Sequence, residues 1–206
     1  MIEVFADIVC PFTHVGLQRL VAHRRAIGAN TVIRVRAWPL ELVNGKPLAA
    51  AFVAEEVAEL RAQVAPDLFV GFAETQFPGT SLPALDLVAA AYRRSTPVGE
   101  EVSLALRHAL FEEGRDISSP VVLADIARSH DLRATGPADR EAVLADWEEG
   151  RERHVLGSPH FFVDGDDFFC PALEISRVEN HLQIRRDDAG FERFLAHAFP
   201  PTPVGM

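Results

Sequence analysis

Strand-period apolar segments occur only at the two ends of this 206-residue chain, with a helical pattern between them. Ile2–Ala6 reads as a buried strand, residues 11–27 as a helix stopped by Gly28, and Thr31–Ala37 as an alternating strand. That is a βαβ unit, for which the right-handed crossover is strongly favoured. From about 50 to 155 the spacing is helical, with predicted helices near 50–64, 81–95, 100–113, 119–127 and 139–154. Ser158–Val163, a turn at Asp164-Gly165-Asp166 and Asp167–Phe169 then read as a hairpin. Leu173, Ile175, Val178, Leu182 and Ile184 are taken as the apolar set of a helix opening at Pro171. A short helix follows around Phe191–Ala198, and Pro200-Pro201-Thr202-Pro203 reads as an unstructured tail. Neither flanking piece can bury a core alone, so both are expected to share one sheet. The fold class is therefore α/β, with a discontinuous domain of residues 1–45 and 155–206 and a helical insertion of residues 46–154.

Within this plan the first strand runs directly into Cys10-Pro11-Phe12-Thr13-His14. Pro suits the first turn of a helix, where its missing N–H is no loss, which makes Cys10 the N-cap. Free N–H groups and the positive end of the helix dipole would then face the sulfur. That setting favours the thiolate, the reactive form of cysteine. Cys170 precedes Pro171 after the apolar Phe168-Phe169, and is read the same way, as a cysteine at a strand-to-helix junction. It is either a thiol returning to the neighbourhood of Cys10 or an N-cap without redox consequence.

The remaining composition narrows the function classes. A formal charge of −10 argues against a general nucleic-acid surface, which needs basic patches to neutralise phosphate. No apolar run approaches the roughly 18 residues of a membrane span, and no leader-like start is present, so the expected compartment is the cytoplasm. Two cysteines 160 positions apart are no disulfide framework, and neither has a second ligand at zinc spacing. His14 is either a thiolate-stabilising group or a packed histidine; His160 either faces the cleft or packs beneath it. Glu112, Glu113 and Asp116 read as a solvated helix end.

Three segments together carry a resemblance over essentially the whole chain. They are Asp7-Ile-Val-Cys10-Pro11-Phe12, Phe111-Glu-Glu-Gly-Arg-Asp-Ile-Ser118, and Leu156-Gly157-Ser158-Pro159-His160-Phe161-Phe162-Val163. In this order they resemble the DsbA-like superfamily of the thioredoxin fold, and are similar to its FrnE-type branch of disulfide oxidoreductases. The resemblance implies a cis proline at Pro159 beside the active cysteine, with Ser158 offering backbone groups to an extended substrate. It also implies Cys10 and Thr13 as catalytic residues, with Pro11, Phe12, His14, Ser158, Pro159 and Cys170 around the substrate. One departure matters: the family's Cys-x-x-Cys carries Thr13 at its second position here. Cys10 can then form a mixed disulfide but has no adjacent thiol to resolve it.

The reading that follows is a thiol-disulfide oxidoreductase acting through Cys10 on a disulfide or a small-molecule thiol. A second reading draws on the kappa-class glutathione transferase and hydroxychromene-carboxylate isomerase relatives, which place Ser-Pro-Tyr-Ser at this site. There a low-molecular-weight thiol, glutathione or mycothiol, would be the cofactor. A third is a non-enzymatic binding module that keeps the groove. No nucleic-acid or membrane partner is expected, and the surface of the helical block is available for a homodimer.

Overall fold

β1 (Ile2–Ala6) is central because it pairs on both sides. It runs parallel to β2 (Ile33–Ala37), with Ile2 opposite Ile33 and Ala6 opposite Ala37. On its other edge it runs antiparallel to β3 (His160–Val163), with Val4 opposite Phe161. β3 in turn pairs with β4 (Asp166–Phe169), giving the sheet order β2-β1-β3-β4. The computed structural model describes residues 1–179 and 181–200. The two ends of the chain thus share one sheet, bridged by α1 (Pro11–Ala26) crossing from β1 to β2.

Between β2 and β3 lie α2 (Leu40–Val43), α3 (Ala50–Gln63), a 3-10 turn at Glu74–Gln76, α4 (Leu82–Arg94), α5 (Thr96–Phe111), α6 (Pro120–Ser129) and α7 (Pro137–Glu152). Four of these helices carry Pro in the first turn, and Ser95 caps α5 by accepting from Val98 N. Buried side chains of β1, α1, α3, α4 and α5 form one contiguous apolar cluster. No described helix is long and apolar enough to cross a membrane.

The segment after Cys170 corrects the expected helix. It is a second hairpin, β5 (Leu173–Val178) and β6 (His181–Arg186), followed by α8 (Asp188–Ala198). Leu182 and Ile184 are buried at strand spacing, whereas Ile175 and Val178 are exposed. The edge of β6 is completed by a side chain: Gln63 Nε2 donates to Leu182 O at 3.1 Å, and its Oε1 accepts from Ile184 N at 2.8 Å. Arg186 adds a hydrogen bond to Val64 O. The segment is a strand because α3 supplies its missing ladder, a partner more than 100 residues away. Cys170 accordingly caps no helix. It sits in a turn with φ of 44°. Residues 201–203 of the expected tail lie outside the described residues.

The insertion is bolted to the sheet by Arg36 on β2. Its guanidinium meets Glu3 at 2.8 Å, Asp146 at 2.6 Å and Glu149, while Asp146 Oδ2 accepts from Ala37 N at 3.0 Å. Arg153 joins the network through Glu3 and Glu149 and covers the Phe162 ring at 3.9 Å. Close by, Gly150 lets α7 approach the sheet: a Cβ there would fall 2.6 Å from the Trp38 ring and 3.0 Å from Phe5. Gly150→Ala should therefore lower stability by about 1–3 kcal/mol through overpacking, despite alanine's better helix propensity. Urea denaturation would read this as a lower midpoint at unchanged slope.

Candidate active site

Asp7-Ile8-Val9 carries the chain from β1 to α1, and Cys10 has the extended backbone of an N-cap (φ −82°, ψ 114°) with Pro11 in the first turn. Its sulfur makes no capping bond. Instead Sγ donates to Ser158 O at 3.0 Å. The Ser158–Pro159 peptide is cis, and α1 closes over it, the Gly16 Cβ position being 3.8 Å from the Pro159 ring. Cys170 N donates to the next carbonyl, Pro159 O, at 3.0 Å. Two successive carbonyls thus tether the two cysteines, both of them free and buried.

Thr13 is fully buried, and its Oγ1 lies 2.8 Å from Ser158 Oγ. Ser158 Oγ also accepts from Asp7 N at 3.0 Å. With that donor in place, the Ser158 hydroxyl can donate its hydrogen bond to Thr13 Oγ1, leaving the Thr13 O–H free to donate to the sulfur. Burial pushes the Cys10 thiol above its ordinary range, and Ser158 and Thr13 pull it back only in part. The helix start alone therefore does not make a thiolate in the resting fold. Burial also pushes the Cys170 thiol up, to about 12, and the neighbouring Cys10 adds to it.

Other residues expected at the site are placed as follows. Phe12 is half-buried against the core and Pro11 is buried. His14 is buried and committed to Glu112, Nε2 to Oε1 at 2.7 Å, between the Phe69 and Phe111 rings. Burial lowers the His14 pKa. Glu112 is no solvated helix end: it also accepts from Phe69 N at 2.9 Å and Val70 N at 3.1 Å. Although burial opposes it, these donors and His14 hold its carboxyl down at about 2. His160 packs beneath the site, its Nδ1 accepting from Leu156 N and its Nε2–H donating to Asp167 at 2.8 Å.

The His14–Glu112 pair gives a pH prediction. Both groups titrate lower in the fold than in the unfolded chain, whose values are near 6.5 and 4.5. Their contribution is present above those values and is lost as pH falls through the folded ones. The melting temperature should thus drop progressively from about pH 6 towards 2. Glu112→Gln should flatten that profile below about pH 4.5, and an unchanged slope would count against the pair.

Three neighbours carried no sequence-based expectation. Asp7 is fully buried; its carboxylate accepts from Leu40 N at 2.6 Å, Ser81 Oγ at 3.1 Å and Val9 N at 3.3 Å, while burial raises its pKa. Arg107 on α5 is fully buried and donates through Nη1 to Asp7 O at 2.6 Å. Glu56 on α3 is only 7% exposed, and its carboxyl is raised by burial to about 8. Glu56 and Arg107 were visible as charges on otherwise apolar helix faces, among Val53, Val57 and Leu60 in one case and Leu106 and Leu110 in the other.

A sulfur at the start of the helix after the first strand, held against a cis X-Pro carbonyl from the returning hairpin, defines a thioredoxin-fold thiol site. The chain matches the DSBA-like thioredoxin domain over residues 1–183 and belongs to that family. No curated protein matches it significantly. Among solved structures it is similar to the cytosolic disulfide reductase DsbM from Pseudomonas aeruginosa, with a TM-score of 0.61 and 15% identity over 97% of this chain and 92% of that one. It is equally similar to 2-hydroxychromene-2-carboxylate isomerase, with a TM-score of 0.61 and 14% identity over 95% of this chain and 93% of the other.

Proposed function

We propose that the chain is a thiol-disulfide oxidoreductase of the DsbA/FrnE type that works through a single cysteine, Cys10. The observation that carries this is the 3.0 Å contact between Cys10 Sγ and the Ser158 carbonyl beside cis Pro159. A substrate disulfide docking along that edge would be aligned by the Ser158 backbone beside the buried sulfur, displacing its contact with Ser158 O. The Cys10 proton leaves to a solvent base, and the thiolate attacks one sulfur of the disulfide. A Cys10–substrate disulfide forms, and the second substrate sulfur departs as a thiolate that takes up a proton. A second thiol from solution then attacks the mixed disulfide, freeing Cys10 and leaving the substrate joined to that thiol. Cytoplasm is the proposed compartment, since it keeps a lone working thiol reduced.

Intact-mass analysis after brief exposure to an aromatic disulfide tests the proposal. Wild type and Cys170→Ser should each gain one adduct at Cys10, and Cys10→Ser should gain none. An adduct at Cys170 alone, or no adduct, would overturn the assignment.

The Thr13 hydroxyl, paired with Ser158 Oγ where a second cysteine would stand, favours one alternative. In it the site holds glutathione or mycothiol as cofactor for a transferase or isomerase. Calorimetry with each thiol separates the readings: saturable binding below millimolar concentration supports the cofactor role, and none at millimolar excludes it.

A further inference from the structure

Arg107 is anomalous. It is fully buried, yet its guanidinium makes one hydrogen bond, to Asp7 O, and no ion pair with a described residue. Its Nε and Nη2 have no hydrogen-bond partner among the described residues. A guanidinium withdrawn from water without a counter-charge is costly, so folds rarely retain one unless an anion balances it. The carbonyl it holds is also the one that accepts, at 3.5 Å, from the Cys10 amide. One backbone oxygen therefore separates the guanidinium from the cysteine.

The charged and titratable groups facing this point come from four directions. Asp7 lies in the loop, Cys10 caps α1 and His14 lies within it, Tyr92 is in α4, and Glu56 is in α3. Most are poor counter-ions. Tyr92 Oη is already accepting from Val35 N at 2.6 Å, and burial pushes its ionisation beyond the physiological range. Three donors already occupy the Asp7 carboxyl. Burial draws Arg107 itself down to about 10, opposed by Cys10 first and then Asp7, so it stays charged at neutral pH.

We propose that Arg107, supplied by the helical insertion, is the fixed positive charge against which the Cys10 thiolate forms. This rests on Cys10 being the working thiol, and makes Arg107 a positioning residue that acts through the sulfur without touching substrate. It also gives the insertion a chemical task. The helix start of α1 supplies only partial charge in a buried setting, and the insertion contributes the full charge that offsets desolvation. The proton lost on ionisation goes to a solvent base, and no further oxidant or reductant is involved.

The test is the pH profile of Cys10 alkylation, read by mass in a Cys170→Ser background. Arg107→Met should raise the midpoint by about one unit or more, a tenfold loss of thiolate at fixed pH. Arg107→Lys should restore it to within about half a unit of the parent. A folded Arg107→Met protein with an unmoved midpoint would overturn the proposal, leaving Arg107 a loop anchor. Should the Met variant not fold, NMR of the parent decides. The Arg107 Nε–H resonance should shift with the Cys10 titration and stay flat in Cys10→Ser; a resonance that ignores Cys10 would also overturn it. Neither readout needs a disulfide substrate, so failure of exchange chemistry and failure of this coupling are separable.

Discussion

In a Thr13→Cys variant, the mixed disulfide at Cys10 should collapse far faster than in the parent protein. The parent must wait for a thiol to arrive from solution, whereas the thiol introduced at position 13 sits one helical turn from the sulfur under attack. It would attack Cys10 Sγ, form an intramolecular disulfide and release the substrate as a thiol. Converting a bimolecular step into a positioned unimolecular one is worth on the order of 10⁵ M or more in effective concentration. Even with imperfect geometry and a raised pKa, a lifetime shortened by at least about a hundredfold is expected. Quenched-flow mass analysis of the adduct measures it directly. The substitution also removes the Thr13–Ser158 hydroxyl contact, at about 1 kcal/mol of stability. An unchanged adduct lifetime would mean that position 13 does not face the sulfur.

The second large effect concerns stability. Arg36→Met should cost about 3 kcal/mol at neutral pH, because it leaves partly buried Glu3 and Asp146 without their shared cation. The sign of the pH dependence is diagnostic. Without the guanidinium both carboxyls titrate higher in the fold, so the deficit should shrink as pH falls towards 4 and they are neutralised. A deficit independent of pH would point to lost packing of the Arg36 stem over Phe5 instead, where the guanidinium carbon lies 5.3 Å from the ring centre.

These two sites differ in how far they could be read from sequence. Thr13, Ser158 and Pro159 entered through the family resemblance, whereas Cys10 was legible because it sits at a punctuation point, a helix start. There, residue type and local geometry are tightly coupled. The βαβ start was legible for the same reason. Residues 173–186 were not, since Leu173, Ile175, Val178, Leu182 and Ile184 satisfy both helical and strand spacings in part. What decides between them is the Gln63 amide of α3, invisible to any local window. Arg107 and Glu56 were legible as oddities only. Knowing that their helix faces turn toward the Cys10 loop requires the packing of α3 and α5, which periodicity alone does not give. Likewise His14 sits one turn from Cys10 in sequence, but Glu112, 98 residues on, takes up its ring.

The tether from Cys10 Sγ to Ser158 O spans 148 residues. At ribosomal rates of about 5–20 residues per second, the cysteine is made roughly 7–30 s before the carbonyl that will hold it. Through that interval the sulfur lacks the carbonyl and the cis proline that flank it in the finished fold. That part of its surroundings is in place only once β3 pairs with β1. Alkylation of Cys10 in denaturant-treated chains should therefore be faster than in the folded protein, and its slowing on refolding follows the joining of the two chain ends in one sheet.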